Sequence, residues 1–365
     1  MTQVTVLGGG QLGRMLGLAG LPLGIQFQFL DPVDGAPAEI AGPVVVGALD
    51  DLAAASEAAV GADVVTFEWE GVPAATAEHI AAKVPVYPPP RALDVAQDRV
   101  TEKQTCNDLG IATAPWRAVD DRAGLTQAVS EIGLPAVLKT RRGGYDGKGQ
   151  AVLRDEADLD RSWRAVGEVP SILEGFVPFT RELSVLAVRG RDGTAACWPV
   201  NENEHRDGVL RVTRAPARGL TPELQARAEA CIVPLLADLD YVGVLCVELF
   251  DVDGELLANE IAPRVHNSGH WTIEGAQASQ FENHVRAVLG WPLGSTAARG
   301  VNAMVNCIGA MPDRDTILAI PGAHLHDYGK TPRAGRKVGH VTITATTDDE
   351  REQLLGRVCN VVESA

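Results

Sequence analysis

The sequence predicts a protein of several domains that combines α/β and α+β architecture. The first ninety residues alternate short apolar strands with helices, and a glycine-rich turn follows the first strand. Farther along, apolar strands are joined by tight glycine turns, a pattern typical of antiparallel sheets. The length of 365 residues exceeds what one hydrophobic core usually serves, so two or three domains are expected.

Composition restricts the function classes that remain open. The net charge of −16 argues against nucleic acid as a partner, since phosphate contacts need a basic face. No apolar run has transmembrane length and no charged-then-apolar leader begins the chain, so a soluble cytoplasmic protein without membrane contact is expected. The six cysteines show no metal-binding spacing and are interpreted as small buried hydrophobic residues.

The N-terminal segment, assigned to residues 1–93, has the pattern of a nucleotide- or phosphate-binding α/β unit. A strand at 2–7 leads into Gly8-Gly-Gly-Gln-Leu-Gly13 and then into a helix, and a second strand ends at Asp31. Free amide groups at such a helix start bind anions. Asp31 leaves a nicotinamide dinucleotide open as the ligand, and a single ribose phosphate would fit equally well.

Two acidic residues follow a later strand of the same unit. Thr66-Phe-Glu-Trp-Glu70 places Glu68 and Glu70 at the sheet edge where α/β proteins bind ligands. Ordinary exposed acids are the alternative interpretation. Pro88-Pro-Pro90 then marks a domain boundary, and one helix is predicted over roughly 91–109, carrying Arg99 and Lys103.

A glycine-rich hairpin is the most informative stretch of the chain. A strand ends at Lys139, the loop contains Gly143, Gly144, Gly147 and Gly149, and a second strand restarts at 151. Uncovered amide groups at such a tip can donate hydrogen bonds to a polyphosphate. Cationic side chains surround the loop at Lys139, Arg141, Arg142 and Lys148. The alternative is a flexible, exposed hairpin.

Two further strands predict a metal site. Strands at 243–250 and 256–261 flank an Asp253-Gly254 turn, which places Glu248 and Glu260 roughly opposite each other. Two facing carboxylates repel unless a cation lies between them, and oxygen ligands beside a phosphate site favour Mg²⁺. The alternative is a pair of solvated glutamates.

Polar and cationic residues cluster beyond these strands. The loop after Glu260 concentrates hydrogen-bond donors at Arg264, His266, Asn267, Ser268 and His270. Four of the eight residues from Lys330 to Lys337 are cationic in an otherwise acidic chain, which favours contact with substrate or phosphate over a solvated charge run. His205 lies among charged neighbours and is expected to be exposed and to face a ligand.

These residues together resemble an ATP-grasp ligase. The glycine hairpin after a lysine, the strand ending in Glu174-Gly-Phe-Val177 and the Glu248/Asn259-Glu260 pair carry this resemblance. Four collinear motifs narrow it to the family of N5-carboxyaminoimidazole ribonucleotide synthases: Gly8-Gly-Gly-Gln-Leu-Gly-Arg-Met15, Gly144-Tyr-Asp-Gly-Lys-Gly-Gln150, Asn259-Glu-Ile-Ala-Pro-Arg-Val-His-Asn-Ser-Gly-His-Trp-Thr272 and Gly335-Arg-Lys-Val-Gly-His340.

The resemblance implies a fold, a reaction and partners. The expected fold is an ATP-grasp domain at 94–292 with a lid around 115–177, a Rossmann-like pre-ATP-grasp domain before it and a small β-rich C-terminal domain at 293–365. The implied reaction converts ATP, bicarbonate and aminoimidazole ribonucleotide into ADP, phosphate and the N-carboxylated product. Members of the family are commonly homodimers.

The resemblance also assigns roles to residues. Mg²⁺ would be held by Glu248 and Glu260. Residues implied to touch ATP are Arg99, Lys139, Gly144, Tyr145, Asp146, Gly147, Lys148, Gly149, Gln150, Glu174, Gly175, Phe176, Val177, Glu182, His205, Asn259 and Glu260. Residues expected to bind the ribonucleotide are Gly10, Gln11, Leu12, Glu68, Lys330, Arg336 and Lys337. Groups expected to act in catalysis are Arg264, His266, Asn267, Tyr145 and Asp146.

Two departures and three alternatives remain at this stage. Ala262 stands where many ATP-grasp enzymes have an asparagine that serves as a third metal ligand. The amino-acid sequence around Glu68 and Glu70 also differs from the family pattern. The first alternative is a nicotinamide oxidoreductase that uses the Gly8–Gly13 turn, which would leave the glycine hairpin and the carboxylate pair without an assigned function. The second alternative is a nucleotide-sensing module without catalysis. The third is another ATP-grasp enzyme that carboxylates or formylates a different small molecule.

Overall fold

The computed structural model describes residues 1–144 and 148–365. Its N-terminal part is a parallel sheet in the order β3-β2-β1-β4. Its elements are β1 (Gln3–Leu7), α1 (Gln11–Gly20), β2 (Gln26–Asp31), β3 (Val44–Val46), α2 (Leu52–Ala58), β4 (Val64–Phe67) and α3 (Ala74–Ala81). Because β1 lies between β2 and β4, the glycine turn after β1 and the acidic residues after β4 meet at one edge. The expected α/β unit is confirmed.

The single helix predicted over 91–109 is wrong. The chain forms α4 (Pro90–Gln97) and α5 (Arg99–Asp108), with Asp98 between them in extended conformation. The Asp98 carboxylate accepts hydrogen bonds from the amide groups of Val100 at 3.1 Å and Thr101 at 3.4 Å. An aspartate that caps a helix in this way starts a new helix, and the break places Arg99 in the first turn of α5.

A small antiparallel sheet occupies the segment around 115–177 for which a lid is predicted, and the lid role itself stays a prediction. Its strands are β5 (Trp116–Val119), β6 (Ala136–Thr140), β7 (Gln150–Leu153) and β8 (Ser171–Gly175), in the order β5-β8-β6-β7. The helices α6 (Arg122–Ile132) and α7 (Leu159–Ala165) share a separate hydrophobic core with it. β6 and β7 form the predicted hairpin, with Lys139 opposite Gln150. Tyr145, Asp146 and Gly147 lie outside the described residues.

The largest sheet joins the central and C-terminal parts of the chain. Its described strands follow the order β14-β13-β9-β11-β12-β15-β17-β16, and β10 pairs with β9. They are β9 (Arg181–Arg189), β10 (Ala195–Cys197), β11 (Asn201–Arg206), β12 (Val209–Ala215), β13 (Gly243–Val252), β14 (Glu255–Ala262), β15 (Val301–Ile308), β16 (Ala323–Asp327) and β17 (Lys337–Ala345). All their pairings are antiparallel, so the α+β expectation is confirmed.

Helices cover this sheet and complete two cores. They are α8 (Pro222–Asp238), α9 (Thr272–Gly275), α10 (Gln280–Leu289), α11 (Arg314–Leu318) and α12 (Asp348–Glu363). Since β12 pairs with β15, the C-terminal strands extend the central sheet and have their own core beneath α12. The boundaries proposed at 93 and 292 stay predictions. No helix in residues 1–144 and 148–365 is long and apolar enough to span a membrane.

Candidate active site

One large cavity lies among the three sheets and has a volume of about 830 Å³. It brings together residues from the N-terminal edge, the lid, the β13–β14 pair and the C-terminal segment. Predicted site residues that line it are Gln11, Leu12, Glu68, Arg99, Lys139, Lys148, Gln150, Glu174, Gly175, Phe176, Val177, Glu182, His205, Glu248, Asn259, Glu260, Arg264, His266, Asn267, Lys330, Arg336 and Lys337. Residues predicted from widely separated motifs therefore share one site.

Three predicted glycines are placed beside the cavity lining instead of in it. Gly10 donates its amide to a side chain of the protein, as described below. Gly144 accepts a hydrogen bond from Arg99 through its carbonyl at 3.5 Å. Gly149 has a φ of +71°, and a Cβ atom there would lie 2.7 Å from the Thr140 hydroxyl, so the turn requires glycine.

Glu68 occupies the amide groups of the Gly8–Gly13 turn. Its carboxylate accepts hydrogen bonds from the amides of Gly10 and Gly13, both at 2.9 Å. Asp31 takes the Gly9 amide at 2.8 Å. The start of α1 thus binds an anion, as its motif predicts, but the anion is a side chain of the protein. Burial raises the pKa of Glu68 even though these amides stabilise its charged form.

Glu70 and Arg264 form an ion pair across the cavity. The Arg264 Nε donates to the Glu70 carboxylate, and Nη1 donates to the Val265 carbonyl at 3.0 Å. Burial opposes both charges, but the partner's charge, the hydrogen bond between the two side chains and further neighbouring charges together outweigh it. The pKa of Glu70 is therefore lowered and that of Arg264 is raised. The guanidinium is therefore held as a permanent cation in the lining of the cavity.

A chain of ionic contacts connects the lid to β14. The Lys139 Nζ lies 2.9 Å from Glu174 Oε2 and 3.4 Å from Asn259 Oδ1. Burial lowers the pKa of Lys139, while the Glu174 charge opposes that shift. Burial raises the pKa of Glu174, but Lys103 and Lys139 outweigh it and bring the net value below normal. This arrangement provides a cation beside the glycine loop, suited to phosphate oxygens.

Aromatic rings form an apolar wall that sequence reasoning only partly identified. Phe179 and Phe250 stack with ring centroids 4.7 Å apart, and Phe176 also lines the cavity. Phe176 was predicted, whereas Phe179 and Phe250 were missed. Phe250 lies two residues beyond Glu248 on one strand, and this spacing, which places both on the same face, could have revealed it. Such a wall suits a flat heteroaromatic base.

His205 is partly buried and does not stand exposed as predicted, but it does line the cavity. Its Nδ1 lies 2.9 Å from the Glu182 carboxylate. Burial lowers the pKa of His205, yet the hydrogen bond to Glu182 and the charges of Glu248 and Glu182 together raise the net value. The pair places a hydrogen-bonding group near the aromatic wall.

Glu248 and Glu260 pair across β13 and β14, as the turn predicted. Burial and the neighbouring Glu260 charge raise the pKa of Glu248 to about 7. Arg99 lies 3.2 Å from Glu260 and His266 lies 3.4 Å from Glu248, so both carboxylates have nitrogen neighbours. Two facing carboxylates beside a phosphate site are donors that suit Mg²⁺. Among residues 1–144 and 148–365, no group of three or more His, Cys, Asp or Glu side chains is arranged to hold a metal ion, so these two carboxylates form a partial set of ligands.

The loop after β14 aims polar atoms into the cavity. Neither the amide nitrogen nor the oxygen of the Asn267 side chain has a hydrogen-bond partner, although both are buried. Buried amides are normally paired, so this side chain is available to a ligand. Burial and the nearby Arg264 charge lower the pKa of His266 well below its usual value, which keeps the imidazole neutral.

The cationic segment predicted at 330–337 also lines the cavity. Lys330 donates to the Gln11 side chain and thereby joins the C-terminal part to the N-terminal edge. Arg336 donates to the Thr331 carbonyl at 3.2 Å, and Lys337 also lines the cavity. Arg333, Tyr328 and the half-exposed Trp69 are lining residues that the predicted site omitted. Arg333 could have been included because it belongs to the same cationic run.

Family models and relatives match the chain over almost its entire length. A ribonucleotide synthetase preATP-grasp domain matches residues 1–97, an ATP-grasp domain matches 104–281, and a phosphoribosylaminoimidazole carboxylase C-terminal domain matches 302–354. The N5-carboxyaminoimidazole ribonucleotide synthase of Pseudomonas aeruginosa is 52% identical over 98% of both chains.

Solved structures agree with this match. The N5-carboxyaminoimidazole ribonucleotide synthetase of Thermus thermophilus superposes with a TM-score of 0.95 and 52% identity over 98% of both chains. The Aspergillus clavatus synthase, in complex with ADP and 5-aminoimidazole ribonucleotide, gives a TM-score of 0.93 at 33% identity, over 100% of this chain and 99% of that chain. This chain, with its ATP-grasp fold, therefore belongs to the family of N5-carboxyaminoimidazole ribonucleotide synthases.

Proposed function

We infer that this enzyme uses ATP and bicarbonate to carboxylate the exocyclic amine of 5-aminoimidazole ribonucleotide. The products are N5-carboxyaminoimidazole ribonucleotide, ADP and phosphate, a step of purine biosynthesis. The observation that carries this inference is one cavity that joins the Lys139 glycine hairpin, the Glu248–Glu260 pair and Arg264. The family assignment leaves the oxidoreductase and sensor alternatives without support.

ATP is proposed to lie between the lid and the large sheet. The rings of Phe176, Phe179 and Phe250 suit the adenine, and Glu182 with His205 lies on the same side. Lys139 and the glycine loop suit the phosphates. Tyr145, Asp146 and Gly147 keep their proposed roles in this loop, from sequence alone.

Magnesium is proposed to bind Glu248 and Glu260. The raised pKa of Glu248 supports this, because a divalent cation would relieve the repulsion between the two carboxylates. When bound, the ion would supply neutralisation of charge on the transferring phosphoryl group. Arg99, beside Glu260, would keep that carboxylate turned towards the cavity.

Bicarbonate is proposed to bind at Arg264. It is a poor electrophile because negative charge shields its carbon, and phosphorylation of one of its oxygens by ATP gives carboxyphosphate. Cleavage of the carbon–oxygen bond then yields phosphate and CO₂, which the waiting amine can attack. The Arg264 guanidinium offers the planar, two-point contact that an oxyanion requires. His266, kept neutral by its lowered pKa, and Asn267, whose side chain has no hydrogen-bond partner, would assist it.

The ribonucleotide is proposed to lie between the N-terminal edge and the C-terminal segment. Lys330, Arg336 and Lys337 would neutralise its phosphate, and Glu68 would face its imidazole side. Gln11 and Leu12 line this region, while Gly10 would act indirectly by holding Glu68.

We propose that the protein functions as a homodimer in the cytoplasm. Support for self-association comes from large apolar side chains exposed on the N-terminal domain, namely Leu18, Leu21 and Ile40. A cytoplasmic location accords with its water-soluble metabolites. Light scattering of the protein as it leaves a size-exclusion column would give its molar mass. The mass of a monomer at micromolar protein concentration would contradict the proposed dimer.

The reaction is tested by ADP release and by isotope transfer. ADP release should require 5-aminoimidazole ribonucleotide and bicarbonate for full rate. With ¹⁸O-labelled bicarbonate, one labelled oxygen should appear in the released phosphate, because the cleaved bond lies between carbon and that oxygen. Phosphate without label would exclude the carboxyphosphate route, and ADP release indifferent to the ribonucleotide would exclude it as the substrate.

A further inference from the structure

The strand that carries Asn259 and Glu260 contains a β-bulge at the active site. Glu248 pairs with Glu260, whereas the next residue, Leu249, pairs with Ala258. Asn259 is therefore an extra residue in β14. Side chains normally alternate between the two faces of a strand, and a bulge interrupts that alternation.

The bulge explains how two consecutive residues face the same cavity. Ala258 and Ile261 are buried in the hydrophobic core beneath the sheet. Asn259 and Glu260 between them both line the cavity. Without the extra residue, one of these two side chains would point into the core. The proposed nucleotide contact of Asn259 and the proposed metal contact of Glu260 therefore both depend on this local distortion.

Two buried residues of α5 hold the backbone of the bulge. The Lys103 Nζ donates to the carbonyls of Ala258 at 3.1 Å and of Asn259 at 2.6 Å. Glu102 accepts a hydrogen bond from the Ile261 amide at 2.5 Å. Both residues are only 1% exposed. A buried backbone group that leaves the sheet ladder needs another partner, and this dipeptide supplies one on each side of Glu260.

We propose that Glu102 and Lys103 are positioning residues that lock this bulge and so orient Asn259 and Glu260 towards the nucleotide and its metal ion. Neither residue needs to touch a substrate for this role. The inference rests on the proposed function of Glu260 as a magnesium ligand. The proposal adds Glu102 and Lys103 of α5 to the residues on which the magnesium site depends.

Lys103 also lies 3.8 Å from Glu174, which offers a competing explanation. If Lys103 acted through Glu174, its loss would weaken nucleotide binding with and without Mg²⁺ to the same extent. Glu102 acts on the strand through the Ile261 amide. A shared, magnesium-specific effect of changes at both residues therefore distinguishes the bulge from the ion pair.

The test compares four variants of the full-length protein. Lys103→Met and Glu102→Met remove the bonds to the strand and keep side-chain length. Glu102→Gln keeps an oxygen that can accept from Ile261. Gln104→Met is the matched control, because Gln104 is exposed on the same helix. The readouts are the calorimetric affinity for ADP with and without Mg²⁺, and amide hydrogen exchange of 255–262.

In the wild type, Mg²⁺ should tighten ADP binding. Both methionine variants should lose about tenfold or more of this gain, the usual effect of removing a group that orients a metal ligand. Their affinity for ADP without Mg²⁺ should fall by a smaller factor than their affinity with Mg²⁺, because only the Asn259 contact is affected when no metal ion is bound, and exchange of 255–262 should accelerate. Glu102→Gln and Gln104→Met should behave as wild type.

These measurements distinguish a failure of the proposed magnesium site from a failure of the proposed positioning role of Glu102 and Lys103. If Mg²⁺ does not tighten ADP binding in the wild type, the proposed magnesium role fails. If the wild type shows the gain and both methionine variants keep it, the positioning proposal is overturned. Equal losses with and without Mg²⁺ would also overturn it. Should Lys103→Met fail to fold, Glu102→Met, which removes one hydrogen bond, decides by the same criterion.

Discussion

Replacing Lys139 by methionine should impair the use of ATP and leave a protein that still folds. Its ammonium is 2.9 Å from Glu174 and 3.4 Å from Asn259, beside the glycine loop. Removing one partner of a buried charge-assisted contact costs about 2–4 kcal/mol. With 1.36 kcal/mol for each factor of ten, kcat/KM for ATP should fall about 30- to 900-fold.

The effect on stability should be smaller than that of orphaning a buried charge. Loss of one partner in an isolated buried pair costs about 3–5 kcal/mol. Here Glu174 keeps a second cation, since the Lys103 Nζ lies 3.8 Å from its carboxylate. We therefore expect a loss of about 1–3 kcal/mol in the free energy of unfolding, and a variant that still folds.

The assay is ADP release coupled to a spectrophotometric readout, with ATP varied at saturating ribonucleotide and bicarbonate. Circular dichroism and thermal unfolding of each variant establish that the fold is intact. Lys83→Met is the matched control, because Lys83 is exposed on the N-terminal domain and should be neutral. A Lys139→Met enzyme that folds and keeps kcat/KM for ATP within twofold of wild type would refute the assignment.

Three further predictions concern the other parts of the site. Gly10→Val should raise the KM for the ribonucleotide about tenfold or more and leave ATP affinity within twofold, because a Cβ atom would lie 2.6 Å from the Glu68 carboxylate; loss of ATP affinity alone would contradict it. Arg264→Ala should reduce transfer of ¹⁸O from bicarbonate to phosphate at least about tenfold while ADP still binds; unchanged transfer would remove the proposed bicarbonate contact. The Glu248 carboxyl, with a pKa of about 7, must lose its proton before it binds a cation. The calorimetric affinity for Mg²⁺ in the ADP complex should therefore rise from pH 6 to 8, by about tenfold per unit below the pKa, and level off above it; an equally steep rise in Glu248→Gln would contradict the assignment.

Local patterns in the sequence determined the elements of this site and several of their partners. The Asp253-Gly254 turn and the twofold period of its strands predicted that Glu248 and Glu260 face each other, and they do. The glycine hairpin after Lys139 could also be predicted from the sequence, since its two strands are adjacent in the chain. Both features depend on interactions between residues close in sequence, which patterns of residue type record directly.

The tertiary structure decided which residues from different elements contact one another. The amides of the Gly8–Gly13 turn were expected to hold a ligand phosphate, but Glu68, 58 residues beyond Gly10, occupies the Gly10 amide. The Arg264 side chain is paired with Glu70, which precedes it by 194 residues. No periodicity links such distant positions, because their proximity follows from how the sheets pack.

The bulge at Asn259 shows the same limit on a finer scale. The sequence predicted the correct pairing of Glu248 with Glu260, but a strict alternation would have placed Asn259 and Glu260 on opposite faces. Only the folded chain brings Lys103 and Glu102 behind that strand, where they bind the backbone groups around the extra residue. Sequence therefore identified Asn259 and Glu260 as candidates for the site, and packing of α5 against β14 decided that these two neighbours share one face.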